Sequence, residues 1–254
     1  MWQPEILPDE KETILILAGD LWLGTKFIEY GNFSWIEIMS ERFKEVLIVL
    51  GNHDYWPQGG LTIENAAYRC NCLLVDRGLN NVIVLDRDSF EIDDILFVGC
   101  TLWTDMNKCD PLTMYNMPLH MAYDGKITYE TGPNGYYKKF TSQKWISTFY
   151  LHRDYLKLIV EKNKDKKIVV ITHHIPVTHI YDPMYENDPS NGYYMSDLSD
   201  FILDNPHIKL WCYGHTHFTS DEILGSTRLY NNSVGYQGEH KEQQKLVKHE
   251  VLEL

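Results

Sequence analysis

Four apolar runs in this chain end in the same way. Ile14 to Ala18 gives onto Gly19-Asp20, and Val46 to Leu50 onto Gly51-Asn52-His53-Asp54. "KIVVITHH" (167–174) closes in Thr172-His173-His174, and "IKLWCYGHTH" (208–217) in Gly214-His215-Thr216-His217. Short continuous apolar runs are what strands buried on both faces look like. Their polar endings constrain the fold further, because ligands in α/β architectures bind at the carboxyl ends of strands, where loops converge. Glycine before the polar residues lets the backbone turn sharply. A lone histidine after a strand is ordinarily a surface or core residue; the joint order Asp, Asn-His-Asp, His, His-x-His marks a metal site. Carboxylate, amide oxygen and imidazole nitrogen without cysteine suit Mn²⁺, Fe or Zn²⁺.

The elements between these runs set the architecture. A helix near Trp35 to Phe43 lies within a crossover of about 26 residues between the first two strands, the length of a βαβ unit, so those strands are expected to be parallel. Further strands are predicted at "NVIVL" (81–85), "DILFVGCTLW" (94–103), "TRLYNNS" (227–233) and "LVKHEVLEL" (246–254). The last two lean towards alternation, which predicts a mixed sheet system. Trp145, Phe149, His152, Leu156 and Ile159 recur at steps of four and three and form one stripe of a helix from Ser142 to about Lys162. A shorter helix covers "SDLSDFIL" (196–203), with Ser196 or Asp197 as its cap and Pro206 beyond its end. The segment from about 105 to 141 is rich in aromatics and has no clear period, as a lid-like insertion would. No linker or repeat divides residues 1–254, which read as one domain.

The formal net charge of −13 argues against stable nucleic-acid binding, which needs Lys and Arg to neutralise phosphates. It leaves room for a small phosphate-bearing substrate, because bound cations reverse the local field. Five scattered cysteines lack zinc-finger spacing and read as free thiols of a reducing cytoplasm. No apolar run approaches the roughly 20 residues of a bilayer span, so a cytoplasmic protein without a membrane partner is expected.

The series "GD…GNHD…THH…GHTH" resembles the calcineurin-like metallophosphoesterase superfamily over nearly the whole chain. "GCTLWTD" (99–105), "THHIP" (172–176) and "SNGYYMSDLSDFI" (190–202) are similar to its small cytosolic branch, often encoded by bacteria and phages. The resemblance implies an α/β fold of two mixed β-sheets packed as a sandwich with flanking helices. It implies that Asp20 bridges two metal ions, that Asn52, His173 and His215 hold the second, and that His217 holds the first. His53 would protonate the leaving-group oxygen, with Asp54 orienting its ring; His174 is the alternative to His173, since adjacent residues at a strand end point to opposite faces. The implied cofactors are divalent ions, Mn²⁺ first, with Fe, Zn²⁺ or Ni²⁺ as alternatives. In such two-metal sites the ions stand about 3.5–4 Å apart, generate a hydroxide and clamp the phosphoryl oxygens.

One family motif is missing: the Asp-x-His that supplies two ligands to the first metal. Only "MWQPEILPDEKE" precedes the first strand, and Leu23 and Gly24 stand where a further His or Asp is sometimes found. Either the sequence starts about a dozen residues late, or the first metal site is damaged and the chain holds one ion. Two functions stay open accordingly. One is a hydrolase of a phosphomonoester or phosphodiester acting on a small phosphoester or nucleotide-like substrate. The other is a catalytically impaired binding or regulatory protein that keeps one metal.

Several residues have a bland alternative. His152 reads as a core histidine or as one looking into the cleft. His179, Tyr185, Asp188 and Asn191 fall in a loop expected to reach over the site. Tyr123, Asp124, Tyr136 and Tyr137 serve as structural wrap or as stacking groups. Cys212 belongs to the core, and His240 and His249 to the surface.

Overall fold

A computed structural model describes residues 4–21, 34–56, 61–131, 137–236 and 251–253. The expected strand over 246–254 falls largely outside them, as do Leu23, Gly24, Tyr136, His240 and His249.

The first apolar runs become parallel neighbours. β1 (Ile14–Leu17) pairs with β2 (Glu45–Val49), and β2 with β3 (Val82–Leu85), both in parallel. Helices α1 (Ser34–Arg42) and α2 (Ala66–Asp76) lie in the two crossovers. β4 (Asp88–Ile92) and β5 (Ile95–Cys100) form an antiparallel hairpin. The sequence pattern ran on to residue 103, but Leu102 and Trp103 take left-handed φ values of 72° and 60° and end the strand in a buried turn.

The segment left without a period on sequence grounds contains regular elements. Met106–Cys109 form a left-handed turn, with φ between 50° and 63°. α3 (Pro111–His120) follows, capped by Asp110, whose carboxylate accepts from the Thr113 amide at 2.7 Å. A 3₁₀ turn at Asp124–Lys126 leads into the hairpin of β6 (Thr128–Thr131) and β7 (Tyr137–Lys139). The helix escaped notice because its buried face is only Thr113 and Met117, while Leu112, Tyr115 and Leu119 face outward.

α4 (Ser142–Lys162) has its expected bounds and buries Trp145, Phe149, His152, Leu156 and Val160. β8 (Lys167–Thr172) is followed by the long loop and by α5 (Ser199–Leu203), which starts later than expected: Ser196 instead accepts from the Asp105 amide. β9 (Ile208–Cys212), β10 (Ser220–Leu224) and β11 (Thr227–Asn231) are the last strands among the described residues.

Among the described residues, β1-β2-β3 is a parallel sheet, and β10-β11-β9-β8-β5-β4 is a mixed one with antiparallel edges. The two face each other across an apolar layer that includes Leu47, Val49, Leu85, Phe97, Val169, Ile171 and Leu210. Alternate residues on the outer faces, such as Val46, Ile48, Val98 and Val170, are buried with Trp35, Met39, Trp145 and Phe149 of the flanking helices. Burial on both faces is why the strands read as unbroken apolar runs. No helix among the described residues is long and apolar enough to cross a membrane.

Candidate metal centre

The ends of β1, β2, β8 and β9 meet at one point. Gly19, at φ 94°, and Gly51 lie so close that a Cβ on Gly19 would stand 2.5 Å from the His173 ring and 2.6 Å from the Gly51 nitrogen. Only residues without a side chain let these turns close together. Asp54, fully buried, ties the same two turns: its Oδ2 accepts from the amides of Asp20 and Gly51, each at 2.9 Å. The His53 amide in turn donates to Asp20 Oδ1 at 3.0 Å, fixing the carboxylate and turning Oδ2 towards His173 Nε2 at 3.4 Å.

His173 is held from behind. Its Nδ1 lies 2.7 Å from the Ala18 carbonyl, which can only accept, so Nδ1 carries the proton and Nε2 presents a lone pair. Around that Nε2 stand Asn52 Oδ1 at 3.0 Å, His215 Nδ1 at 3.1 Å and Asp20 Oδ2 at 3.4 Å. Asn52 is oriented the same way: its Nδ2 donates to Asp124 Oδ1 at 2.9 Å, which leaves its oxygen for the cluster. His215, at φ 63°, is wedged between the rings of His174 and Tyr194, with centroids 4.4 and 4.5 Å away.

Three acceptors, His173 Nε2, Asn52 Oδ1 and Asp20 Oδ2, crowd beside one ring nitrogen of His215, an arrangement that favours something positive between them. A tetrahedral shell with bonds of about 2.1 Å has edges of about 3.4 Å, close to the separations here. The electrostatics agree. Burial opposes charge on His173, yet the Asp20 carboxylate and the Ala18 carbonyl outweigh it and hold the imidazole above its ordinary value. Burial likewise pushes Asp20 up, but His173 and His53 bring it down to about 2. His215 is pushed well down, first by burial and then by the neighbouring histidines, so it stays neutral, with the lone pair of one ring nitrogen available. One carboxylate, one amide oxygen and two imidazoles thus fit a divalent cation.

The structure distinguishes the adjacent histidines. His173 joins the cluster with Asp20 and His215. His174 is fully buried, lies 3.1 Å from the Thr101 carbonyl through Nδ1 and packs against Trp103 and Trp145. His217 lines the same cavity but stands outside the group of mutually close ligand atoms, with its ring 4.7 Å from that of Tyr236. His53 stacks on Trp56 at 3.7 Å, and its Nε2 lies 3.9 Å from Asp20 Oδ2. Burial lowers its basicity more than Asp20 raises it.

A cavity of about 330 Å³ opens above the cluster, and Tyr185, Asn191, Tyr123 and Asp124 line it. Of the other loop residues, His179 faces Glu222 at 3.6 Å, and Asp188 caps the turn at Ser190. His152 is the satisfied core histidine: its Nδ1 accepts from the Leu102 amide at 3.0 Å, and its Nε2 faces Asp86 at 3.4 Å. Sequence reasoning did not see that Asp124 orients Asn52, nor that the Ala18 carbonyl sets the His173 tautomer; neither contact leaves a local pattern.

Comparison with known proteins adds the family. An uncharacterized protein, L509, of Acanthamoeba polyphaga mimivirus is 29% identical over 241 residues, which is 89% of this chain and 79% of that protein. The crystal structure of the phosphopantetheinyl hydrolase PptH from Mycobacterium tuberculosis superposes with a TM-score of 0.63 at 14% identity, covering 93% of this chain and 86% of that one. At that identity the likeness is one of fold. The model of the calcineurin-like phosphoesterase family matches residues 2–218, and the chain belongs to that family, whose general chemistry is metal-dependent hydrolysis of phosphoesters.

Proposed function

We propose that this chain hydrolyses a phosphomonoester or phosphodiester of a small, nucleotide-like molecule, with Asp20, Asn52, His173 and His215 holding a divalent cation and His53 as general acid. What carries the reading is the convergence of Asn52 Oδ1, His215 Nδ1 and Asp20 Oδ2 on His173 Nε2, each 3.0–3.4 Å from that nitrogen, beneath a cavity that His53 also lines. A bound divalent cation, Mn²⁺ first, supplies Lewis acidity and an activated water at neutral pH.

The chain's own residues do the positioning and the proton transfer. Asp20 Oδ1 is occupied by the His53 amide, so Oδ2 is the oxygen available to the cation. The His53 ring stands beside the cluster rather than in it, where its Nε2 can donate a proton to the departing oxygen. Trp56 on one face restricts the ring's rotation. Asp54 supports His53 through the backbone, by holding the Gly51 amide at the start of the turn from which His53 projects. His217 lines the cavity within reach of the same substrate, consistent with its assignment to a first metal.

The test is an assay of a generic aryl phosphomonoester and an aryl phosphodiester with added Mn²⁺, beside the His53→Ala variant. Turnover is expected only with metal, and is expected to fall roughly 10²–10⁴-fold in the variant. Absence of metal-dependent turnover on both substrates, or an unaffected variant, overturns the reading.

A further inference from the structure

The general acid named above has a phenol at its second nitrogen. The Tyr236 hydroxyl lies 3.4 Å from His53 Nδ1, while His53 Nε2 stands 3.9 Å from Asp20 Oδ2 at the cluster. The carboxylate next in sequence is committed to the backbone: Asp54 Oδ2 accepts from the amides of Asp20 and Gly51.

The fold brings Tyr236 to His53 across 183 residues of chain. β11 ends at Asn231, and the chain then turns at Gly235, whose φ of 68° lies in the left-handed region that favours glycine. The Tyr236 ring stands edge-on to His217, with centroids 4.7 Å apart at 88°. It runs near-parallel to the His53 ring, at 24° with centroids 6.2 Å apart. Trp56 stacks on His53 at 3.7 Å. A stack leaves an imidazole able to turn about its own plane, so it does not decide which nitrogen faces the cluster. A polar contact at one nitrogen does.

We propose that Tyr236 is the positioning residue of the general acid: its phenol oxygen holds His53 Nδ1 and thereby presents Nε2 to the departing oxygen. This rests on the hydrolase reading above and deepens it. As an acid, the ring carries hydrogen on both nitrogens. Nδ1–H donates to the Tyr236 oxygen, and Nε2–H is the proton left to give. When the bond between phosphorus and the departing oxygen breaks, that oxygen takes the Nε2 proton. Nδ1 keeps its hydrogen and its phenol contact, and the ring ends neutral.

Tyr236→Phe removes the hydroxyl and keeps the ring, and at 49% exposure the change leaves the core untouched. The full chain is assayed with Mn²⁺ on phenyl and 4-nitrophenyl esters of phosphate, since the phenyl leaving group needs a proton more. In the variant, kcat on the phenyl ester is expected to fall on the order of tenfold, inside the 10²–10⁴-fold that general acids contribute. The 4-nitrophenyl ester should lose less. In a His53→Ala background, Tyr236→Phe should cost nothing further. Equal losses on the two esters, no loss on either, or a further loss beside His53→Ala overturns the proposal. A second readout needs no turnover: the side-chain ¹⁵N signal of His53 Nδ1 in the metal-free chain should move in Tyr236→Phe, whereas that of His173 Nδ1, held by the Ala18 carbonyl, should not. An unmoved His53 signal overturns the Tyr236 assignment alone. Absence of turnover on every ester overturns the acid role together with the hydrolase reading.

Discussion

The floor and the wall of the cavity are built by different means. On the floor, every cluster residue comes from a strand end and has a second partner: His173 the Ala18 carbonyl, Asn52 the Asp124 carboxylate, Asp20 the His53 amide, and His215 its flanking rings. On the wall, Tyr181 and Tyr185 sit in the loop after β8 and Phe218 in the turn after β9, shaped by short caps from Asp182 and Asp188. A metal site tolerates little displacement of its donors, so it is placed where two sheets fix the backbone. A cavity wall tolerates more, and loops suffice.

That contrast can be broken. The largest effect is expected at the floor: His173→Ala removes a donor and should weaken Mn²⁺ binding by more than the roughly 10–100-fold typical of an outer-shell partner, read by metal titration. Asp124→Leu removes only the group that orients Asn52, and metal affinity should fall within that roughly 10–100-fold range. An unchanged affinity would mean that Asn52 finds its orientation unaided.

The foundation under the floor should respond to acid. His152 holds the Leu102 amide, next to Thr101, whose carbonyl accepts from the amides of His173 and His174. Burial lowers the His152 imidazole from 6.5 to about 3. Between those values the unfolded chain binds a proton that the folded chain does not, so this contribution is complete above pH 6.5 and is lost as pH falls. At pH 5 the loss is on the order of 2 kcal/mol. Asp86, raised to about 6 by burial, works in the opposite sense, losing stability as pH rises through that value. Comparing Asp86→Asn with and without His152→Gln by denaturant unfolding should show a flatter decline from pH 6.5 to 5 in the double variant. The smallest effect belongs to the wall: Tyr185→Ala should leave Mn²⁺ affinity unchanged within a factor of about two, as expected of a side chain outside the ligand shell.

The floor was legible in the sequence for the reason that makes it rigid. Buried strands read as continuous apolar runs, and metal-capable polar residues after a glycine, or after Thr172 in β8, have no role in a core. The long helix was legible through its unbroken stripe from Trp145 to Leu156. Elements buried on one narrow face were not. α2 buries only Ala66, Cys70 and Leu74, and β4 and β10 are edge strands with charged, exposed residues such as Asp88 and Glu222. The Asn52–Asp124 contact spans 72 residues and follows from the fold alone. Asp54 shows a further limit. Its position beside His53 suggested a partner for that ring, while its carboxylate is found on the backbone amides of two separate turns.

The most direct test of the account is the Mn²⁺ binding isotherm of the full chain measured beside that of His173→Ala. The account predicts at least one tightly held ion per chain, lost in the variant while the far-ultraviolet circular dichroism is retained. A chain that binds no Mn²⁺, or a folded variant that binds it as well as the parent, would contradict the claim that Asp20, Asn52, His173 and His215 form a metal site.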